Sequence, residues 1–473
     1  MPDEAVAQLG HDLYTYWERY RGCFRTRTRD TSVQAYTYLR GQLTMEDARN
    51  YANIDRRLKG GDGQSLQHFM TDSPWRAQAV FEQIQADLCA RPQLSAGGVL
   101  ILDESADEKA GDHSAGAARQ YNGRLGKVDL CQVATCLAYA HPARGVWTLV
   151  DGELFLPHVW FTKAYADLRR EVELPAARVF ETKPQLGLKM IRRVKAHGLP
   201  FERVACDDLY GRGSAFRAAL DADDIRYAAE VPANTRVYLQ PPIVGVPRRR
   251  HPSGRAPTRW KVLSEHQPRQ VGRLVYSLRT HWRQVTVRQA ERGALEADFA
   301  IHRVWTLTDT LQVCEEWLVI RRDLDERLTF ILLNDPADTP EDVLIQASCQ
   351  RYFTERTYQD AKTELGWDDF QARKYRAWEH QLALTAATLW FVASTKLTWQ
   401  QQYARDPELL HQLEVNVLPA LSTANVRELL QAVLPVPQLT PTQARHLVVH
   451  HLVNRSRSTR SRLKAQREHN DSS

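Results

Sequence analysis

Three acidic residues occupy positions where carboxylates from distant parts of the chain could meet. Asp103 follows the apolar run 98–102, and Asp207 follows the short run 203–206. Glu355 lies inside a long helical pattern. Carboxylate oxygens are the ligands that hard divalent cations prefer, and two such ions about 4 Å apart can activate an attacking oxygen and stabilise a leaving oxygen in phosphodiester chemistry. The three acids therefore form a candidate metal site, provided that the fold unites them.

The elements around these acids predict a mixed α/β sheet. Short apolar runs indicate buried strands and turn signals separate them; they lie at 98–102, 132–140, 146–150, 203–206 and 226–231. Helical patterns at 185–196 and 213–220 separate the later strands. Three strands in a meander followed by alternating helix and strand are typical of a mixed sheet. In such a sheet Asp103 and Asp207 can end neighbouring strands, and the Glu355 helix can pack over those ends.

Glu355 has two basic neighbours at helical spacing. Arg351 and Lys362 stand four residues before it and seven after it, so all three share one helix face. An acid between two cations is either a structural ion-pair face or a site that handles phosphate, and spacing alone does not choose. With 57 acids in the chain, some also follow strands by chance.

The second half of the chain predicts further strands and two long helices. A Pro- and Arg-rich loop opens the stretch 236–315. The strand candidates after it are 273–278, 282–288, 299–306, 317–321 and 328–333. Thr339-Pro-Glu-Asp342 combines an N-cap residue, proline at the first helical position and an early acid. We expect one helix from there to about Glu364 and another from Tyr375 to Lys396.

Composition and charge narrow the class of protein. The 473 residues are 43% apolar and 25% charged, as in ordinary globular proteins, and no apolar stretch reaches the roughly 20 residues that a membrane helix needs. Seven dispersed cysteines indicate reduced thiols rather than a disulfide framework or a zinc site. Basic residues cluster without acids in 19–29, 246–262 and 455–467. Such clusters suit a polyphosphate partner, although a solvated surface is the plainer alternative.

The sequence resembles the DDE transposases of bacterial insertion sequences. Arg351, Glu355 and Lys362 match the family motif Tyr-x2-Arg-x3-Glu-x6-Lys, with Ser348 at the tyrosine position. The segment 109–127 is similar to the Lys-x-Gly-x-x-Ser-x-Gly-x-x-Arg-Gln-Tyr run of the IS701-like branch of the IS4 superfamily. Several long motifs in the same order extend the resemblance over roughly residues 38 to 397.

The resemblance implies an α/β, ribonuclease-H-like fold: a mixed sheet with a strand-rich insertion domain and an N-terminal helical domain. The expected domains are an N-terminal helical DNA-binding domain (1–97), the first part of the catalytic domain (98–235), the insertion domain (236–315), the second catalytic part with the Glu355 helix (316–400) and a C-terminal helical region with a basic tail (401–473).

The resemblance also implies a chemistry. Asp103, Asp207 and Glu355 would be the catalytic residues and would bind Mg²⁺, for which Mn²⁺ could substitute. The expected activity is cut-and-paste transposition, in which the enzyme binds terminal inverted repeats, cleaves the element ends and joins the 3′-hydroxyls to target DNA. Related enzymes form hairpin ends and hold a flipped base on a tryptophan of the insertion domain; Trp260, Trp282 and Trp305 are the candidates here.

The residues expected to contact DNA carry positive charge or an aromatic ring. They are Arg351, Lys362, Lys109, Arg119, Lys127, Arg248, Arg249, Arg250 and Trp282. The expected partner is double-stranded DNA, both terminal repeats and target, and a homodimer is expected in the synaptic complex. We expect a cytoplasmic, nucleoid-associated protein with no membrane partner. Two alternatives remain: a catalytically inactive, domesticated DNA-binding regulator, and a nuclease that cleaves without strand transfer.

Overall fold

The computed structural model describes residues 3–248, 257–277, 281–290, 293–370, 372–414, 416, 418, 420–437 and 440–470. The α-helices are α1 Asp3–Tyr20, α2 Ser32–Thr44, α3 Tyr51–Lys59, α4 Gln64–Thr71, α5 Ala77–Cys89, α6 Ala166–Glu171, α7 Lys183–Ala196, α8 Asp208–Gly211, α9 Ser214–Ala222, α10 Val271–Ser277, α11 Glu341–Ser348, α12 Tyr352–Gln359, α13 Tyr375–Tyr403, α14 Pro407–Leu413, α15 Thr423–Val433 and α16 Pro441–Asn470. The strands are β1 Val99–Glu108, β2 Ala118–Asn122, β3 Lys127–His141, β4 Val146–Phe155, β5 Arg203–Cys206, β6 Arg226–Val231, β7 Arg236–Val237, β8 Val244–Gly245, β9 Lys261–Val262, β10 Arg269–Gln270, β11 Arg283–Ala290, β12 Gly293–Leu307, β13 Val313–Arg322 and β14 Leu328–Leu333.

A large mixed sheet organises the described residues. Its strand order is β11-β12-β13-β14-β6-β5-β1-β3-β2, and β4 pairs with β3. Strands β1, β5 and β6 run parallel to one another, whereas the other pairs in this sheet are antiparallel. This confirms the predicted mixed α/β class. The strands β11 to β14 extend the same sheet beyond β6.

The first strand is longer than predicted. Asp103 does not end β1 but lies in its middle, because β1 continues to Glu108. The reason is its antiparallel partner β3, which pairs with β1 along its whole length, whereas the parallel pairing with β5 ends at Leu102. Asp103 therefore stands where the sheet loses its parallel neighbour.

One predicted strand is a helix. The run 273–278 was expected to be extended, but α10 occupies Val271–Ser277, and residue 278 lies outside the described part. Val271 and Leu274 are fully buried and three residues apart, so they present one helical face to a small core that also contains Val237 and Val304.

The helix predicted from Thr339 to about Glu364 is divided. α11 begins at Glu341 after Pro340, without a side-chain cap, and ends at Ser348. Ser348 is buried, and its Oγ donates to the carbonyl of Ile345 at 2.7 Å, a local bond of the kind that bends helices. α12 follows, and a π turn at Asp360–Glu364 closes it. Such turns often mark functional positions.

Helix α13 forms the centre of the core. Between residues 382 and 395 it is buried and carries apolar or small polar side chains on every side, as expected of a helical segment enclosed by other elements. It packs against β4 on one side and against α2 and α5 on the other. Tyr16 Oη donates to the carbonyl of Ala387 at 2.6 Å, and Gln42 Nε2 donates to Thr385 Oγ1 at 3.1 Å. α13 thus joins the N-terminal helices to the sheet.

Two buried ion pairs fix the strands behind the candidate site. Arg203 at the start of β5 donates to both carboxylate oxygens of Asp335, at 2.8 and 3.1 Å. Arg217 donates to Glu316 of β13 at 3.0 Å, and Tyr227 of β6 donates to the same carboxylate at 2.7 Å. These bonds hold β5 and β6 against the strands that follow them.

Candidate active site

Three acids stand side by side on the parallel strands. Leu102 pairs with Cys206, and Cys206 pairs with Ala229. The residues that follow these three are Asp103, Asp207 and Glu230. Because parallel strands in register present successive residues at the same level, the sheet itself aligns three carboxylates at one edge of its parallel part.

The guanidinium of Arg351 joins this row to the helix above it. Its Nε donates to Glu230 Oε1 at 2.9 Å, and its Nη1 donates to Asp103 Oδ2 at 3.3 Å. Its Nη2 donates to Glu355 Oε1 at 3.2 Å, one helical turn along. Arg351 and Glu355 therefore share a helix face as predicted, and that face points at the end of the β1–β5 pairing.

Asp207 has a local anchor. Its Oδ1 accepts the backbone N–H of Leu209 at 3.1 Å, so Asp207 caps the short helix α8. This bond fixes the carboxylate at the strand-to-helix turn, beside Asp103.

The site disfavours negative charge in the absence of a cation. Burial and the neighbouring Asp207 raise the pKa of Asp103 to about 7. Burial and the neighbouring Glu104 raise the pKa of Asp207 to about 6. Burial lowers the pKa of Arg351, but the carboxylates of Glu230 and Asp103 outweigh that effect, so its pKa is raised. A further positive charge would favour the ionised carboxylates.

An open cleft of about 680 Å³ gives access to the acids. Its lining residues come from β1, the β2–β3 turn, the turn after β5, and α12 with its π turn; they are Asp103, Glu104, Ser105, Ala106, Tyr121, Gly123, Arg124, Asp207, Asp208, Glu355, Tyr358, Gln359, Lys362, Thr363 and Asp368. The three predicted acids thus line one open cleft.

The donor set fits a hard divalent cation. Asp103, Asp207 and Glu355 supply only oxygen atoms, which suit Mg²⁺ or a similar ion. Within the described residues, no three histidine, cysteine, aspartate or glutamate side chains converge as a closed metal cluster. The Arg351 guanidinium bonds instead to the carboxylates of Asp103 and Glu355.

Lys362 lines the same cleft from the π turn that follows α12. Its Nζ donates to the carbonyl of Ala106 at 3.1 Å and lies 5.6 Å from the ring centre of Trp367. Burial lowers the pKa of Lys362. The predicted spacing of Lys362 from Glu355 runs through the π turn, and both side chains reach the cleft.

The three predicted cations before and within the β2–β3 hairpin differ in their ion pairing and exposure. Lys109 is paired with Asp107, and Lys127 lies 3.1 Å from Asp129. Arg119 is exposed on β2. Tyr121, two residues further along the same strand face, is 55% exposed and lines the cleft.

The tryptophans named for base stacking are not equivalent. Trp260 is 63% exposed, whereas Trp282 and Trp305 are half-buried. The guanidinium of Arg322 stacks over Trp282 at 4.4 Å from its ring centre.

The arginine run before them is only partly described. Arg248 is exposed, and Arg249 and Arg250 lie outside the described residues.

Two acids of this neighbourhood were not among the predicted site residues. Glu230 lies inside a predicted strand, where an acid looks like an ordinary solvent-facing residue; only the strand register reveals its place beside Asp207. Glu104 lines the cleft and pairs with Lys183 at the start of α7. Its position next to Asp103 made it an alternative candidate for the catalytic acid, but its pairing with Lys183 depends on the fold.

Comparison with known proteins places the chain among nucleic-acid enzymes. Residues 19–294 match the family model of the DDE superfamily endonucleases; this range includes Asp103 and Asp207 and ends before Glu355. The chain is 28% identical over 216 residues to a probable transposase for insertion sequence element IS701 from Microchaete diplosiphon. That alignment covers 44% of this chain and 52% of the relative, so the chain spans about half the length of the curated relative that it matches. Among the described helices, none has the length and apolar character needed to cross a membrane.

Proposed function

The chain belongs to the DDE superfamily of endonucleases, and from this premise we propose that it is a metal-dependent DNA transposase. It binds the terminal inverted repeats of an element, cleaves the element ends and joins the freed 3′-hydroxyls to target DNA. The observation that carries the proposal is the alignment of Asp103 with Asp207 on parallel strands, together with the Arg351 bridge from Asp103 to Glu355 in one open cleft.

Asp103, Asp207 and Glu355 would hold the divalent cations, Mg²⁺ in the cell with Mn²⁺ as a substitute. When bound, two such ions activate the attacking oxygen and stabilise the leaving oxygen of the phosphodiester. Glu355 is the most exposed of the three, with 60% of its side chain accessible. It lies on α12, whereas Asp103 lies within β1 and Asp207 follows β5.

The chain's own cations would position the DNA. Arg351 presents a planar fork that matches phosphate oxygens, and Lys362 would add a point charge from the π turn that follows the same helix. Lys109, Arg119 and Lys127 would contact phosphates around the hairpin. The exposed ring of Tyr121 would stack on a base at the cleft wall, since aromatic stacking is tolerant of sequence.

The remaining assignments follow the family pattern. The N-terminal helices would bind DNA, the sheet with α12 would form a ribonuclease-H-like catalytic domain, and β11 and β12 would belong to the insertion. Trp282, with Trp260 and Trp305 as alternatives, would hold a flipped base if the ends form hairpins, next to Arg248, Arg249 and Arg250. Two element ends must meet at one target, so a homodimer would form the synaptic complex.

The test is a cleavage assay with the flanking terminal-repeat DNA and Mg²⁺. Nicked, hairpin and strand-transfer products are separated on a denaturing gel for the wild type, Glu355→Gln and the exposed control Glu428→Gln. We expect products from the wild type and the control and none from Glu355→Gln. Specific binding without cleavage by any of the three would favour a DNA-binding regulator. Cleavage without joined products would favour a nuclease.

A further inference from the structure

Glu230 accepts a hydrogen bond from Arg351, the residue that bonds to both Asp103 and Glu355. Glu230 is not among the described residues that line the cleft. Its Oε1 accepts from Arg351 Nε at 2.9 Å, the shortest of the three bonds of that guanidinium to carboxylates. Its side chain is 24% exposed. Glu230 therefore lies behind Arg351, while Asp103 and Glu355 lie on its cleft side.

Each bond of Arg351 uses a different nitrogen. Nε is engaged with Glu230, Nη1 with Asp103 and Nη2 with Glu355. The guanidinium can thus release its two Nη bonds by reorienting while Nε stays near Glu230. A lysine has no such fork, because its charge is a single point.

The negative charges around Arg351 indicate how this arrangement affects cation binding. One guanidinium faces the carboxylates of Asp103, Glu230 and Glu355, with Asp207 close to Asp103. A cation that binds Asp103 Oδ2 or Glu355 Oε1 must compete with the Nη groups for that oxygen, and at the second oxygen of either acid it is repelled by the nearby guanidinium. Glu230 offsets part of the positive charge of Arg351 and so weakens the attraction of Arg351 for Asp103 and Glu355.

We propose that Glu230 is the positioning residue of Arg351: it anchors the guanidinium as a built-in counter-ion of Asp103 and Glu355 and lets it yield those carboxylates to a divalent cation. Glu230 acts through Arg351 and does not itself bind the cation. The inference rests on the proposed function, because it assumes that Asp103 and Glu355 are metal ligands.

A double-mutant cycle on metal affinity tests it. Mn²⁺ binding to the full-length protein without DNA is measured by electron paramagnetic resonance of free Mn²⁺ for the wild type, Glu230→Gln, Arg351→Gln and the double variant. We expect Glu230→Gln to weaken Mn²⁺ binding about three- to tenfold, within the lower part of the range of couplings between contacting residues. In the Arg351→Gln background the same change should alter affinity less than about twofold, because the competitor is gone.

Asp208→Asn is the matched charge control. Asp208 is close enough to Asp207 to raise its pKa, but it pairs with Arg212 and not with Arg351. Its effect on Mn²⁺ affinity should be the same with and without Arg351. An equal effect of Glu230→Gln in both backgrounds, or no effect in either, would overturn the positioning role.

Two further variants make the outcome unambiguous. Glu230→Asp keeps the charge and loses reach, so it should also weaken Mn²⁺ binding; wild-type affinity would mean that charge alone matters and would contradict the proposal. Asp103→Asn should abolish the binding. If Asp103→Asn binds Mn²⁺ like the wild type, the metal site itself is wrong, and the proposed function fails together with the inference. Circular dichroism checks that each variant is folded.

Discussion

Nη1 of Arg351 lies 3.3 Å from Oδ2 of Asp103, although the two residues are 248 positions apart in the chain. This contact joins β1, the first strand of the sheet, to α12, which follows the last strand, in a single site. The same guanidinium bonds to Glu355 and so links that acid to Asp103, although 60% of the Glu355 side chain is exposed. The bond also shows that the carboxylates already attract a cation.

The contact predicts that lysine cannot replace Arg351. Arg351→Lys keeps the charge but cannot reach three carboxylates at once. We expect the single-turnover cleavage rate to fall at least about tenfold, as for the loss of a charged hydrogen bond. Arg356→Lys on the same helix is the control, because Arg356 Nη1 donates to Gln359 Oε1 at 2.9 Å; this variant should cleave at nearly the wild-type rate. Equal rates for both variants would exclude a special role for Arg351.

Arg119 on the hairpin should contribute one phosphate contact. Because each neutralised phosphate releases counterions, Arg119→Gln should reduce the slope of log affinity against log salt by about 1. Fluorescence anisotropy with labelled terminal-repeat DNA over a series of KCl concentrations gives that slope. Arg170→Gln, an equally simple change at an exposed arginine of α6, should leave it unaltered. An unchanged slope for Arg119→Gln would remove the hairpin from the DNA contact surface.

The buried pair below Asp207 should be important for stability. Asp335 is fully buried and Arg203 is 4% exposed at its side chain, so removing the aspartate leaves an uncompensated charge. We expect Asp335→Ala to destabilise the protein by about 3–5 kcal/mol. Asp223→Ala breaks the more exposed pair with Arg192 and should cost about 1 kcal/mol or less. Urea unfolding followed by circular dichroism compares the two; similar midpoints would contradict the expected ranking.

Glu379 on α13 should make stability depend on pH. Burial raises its pKa to about 7, and the groups that face it are Tyr375, Arg178, Glu153 and Arg376. In the unfolded chain a glutamate titrates near 4.3, so between about pH 4.5 and 7 the folded state holds a proton that the unfolded state has lost. The contribution of Glu379 to stability is therefore present at low pH and is lost as the pH rises through 7.

The neutral variant Glu379→Gln isolates this effect. It should be more stable than the wild type by about 1–2 kcal/mol at pH 8, with a smaller difference at pH 5. Thermal unfolding at the two pH values measures it, and the exposed Glu428→Gln on α15 is the control. A loss of stability that is the same at both pH values would mean that Glu379 is a structural ion-pair partner instead.

The sequence was informative where one local pattern determines one element. Buried strands were predicted at β1, β3, β4, β5, β6 and β14 because short, continuous apolar segments are typical of strands that are covered on both faces. Helix α7 was expected for the same kind of reason, from its amphipathic period. The relation of Arg351 to Glu355 also followed from spacing alone.

Features that depend on register or on tertiary partners could not be predicted. The extra length of β1 beyond Asp103 comes from its pairing with β3, and α10 forms because Val271 and Leu274 find a core on one side. Glu230 gave no signal, since only the alignment of β5 with β6 puts it beside Asp207. The break at Ser348 depends on a local side-chain bond that competes with the helix.

The most direct test of the central claim, that Asp103, Asp207 and Glu355 hold common divalent cations, is cleavage of the protein by bound iron. Fe²⁺ is substituted for Mg²⁺ in the full-length protein, and ascorbate with peroxide generates hydroxyl radicals at the bound ion. We predict backbone cuts close to residues 103, 207 and 355 that excess Mg²⁺ suppresses and that Asp103→Asn removes. Cuts elsewhere, or cuts that persist unchanged in Asp103→Asn, would contradict the account.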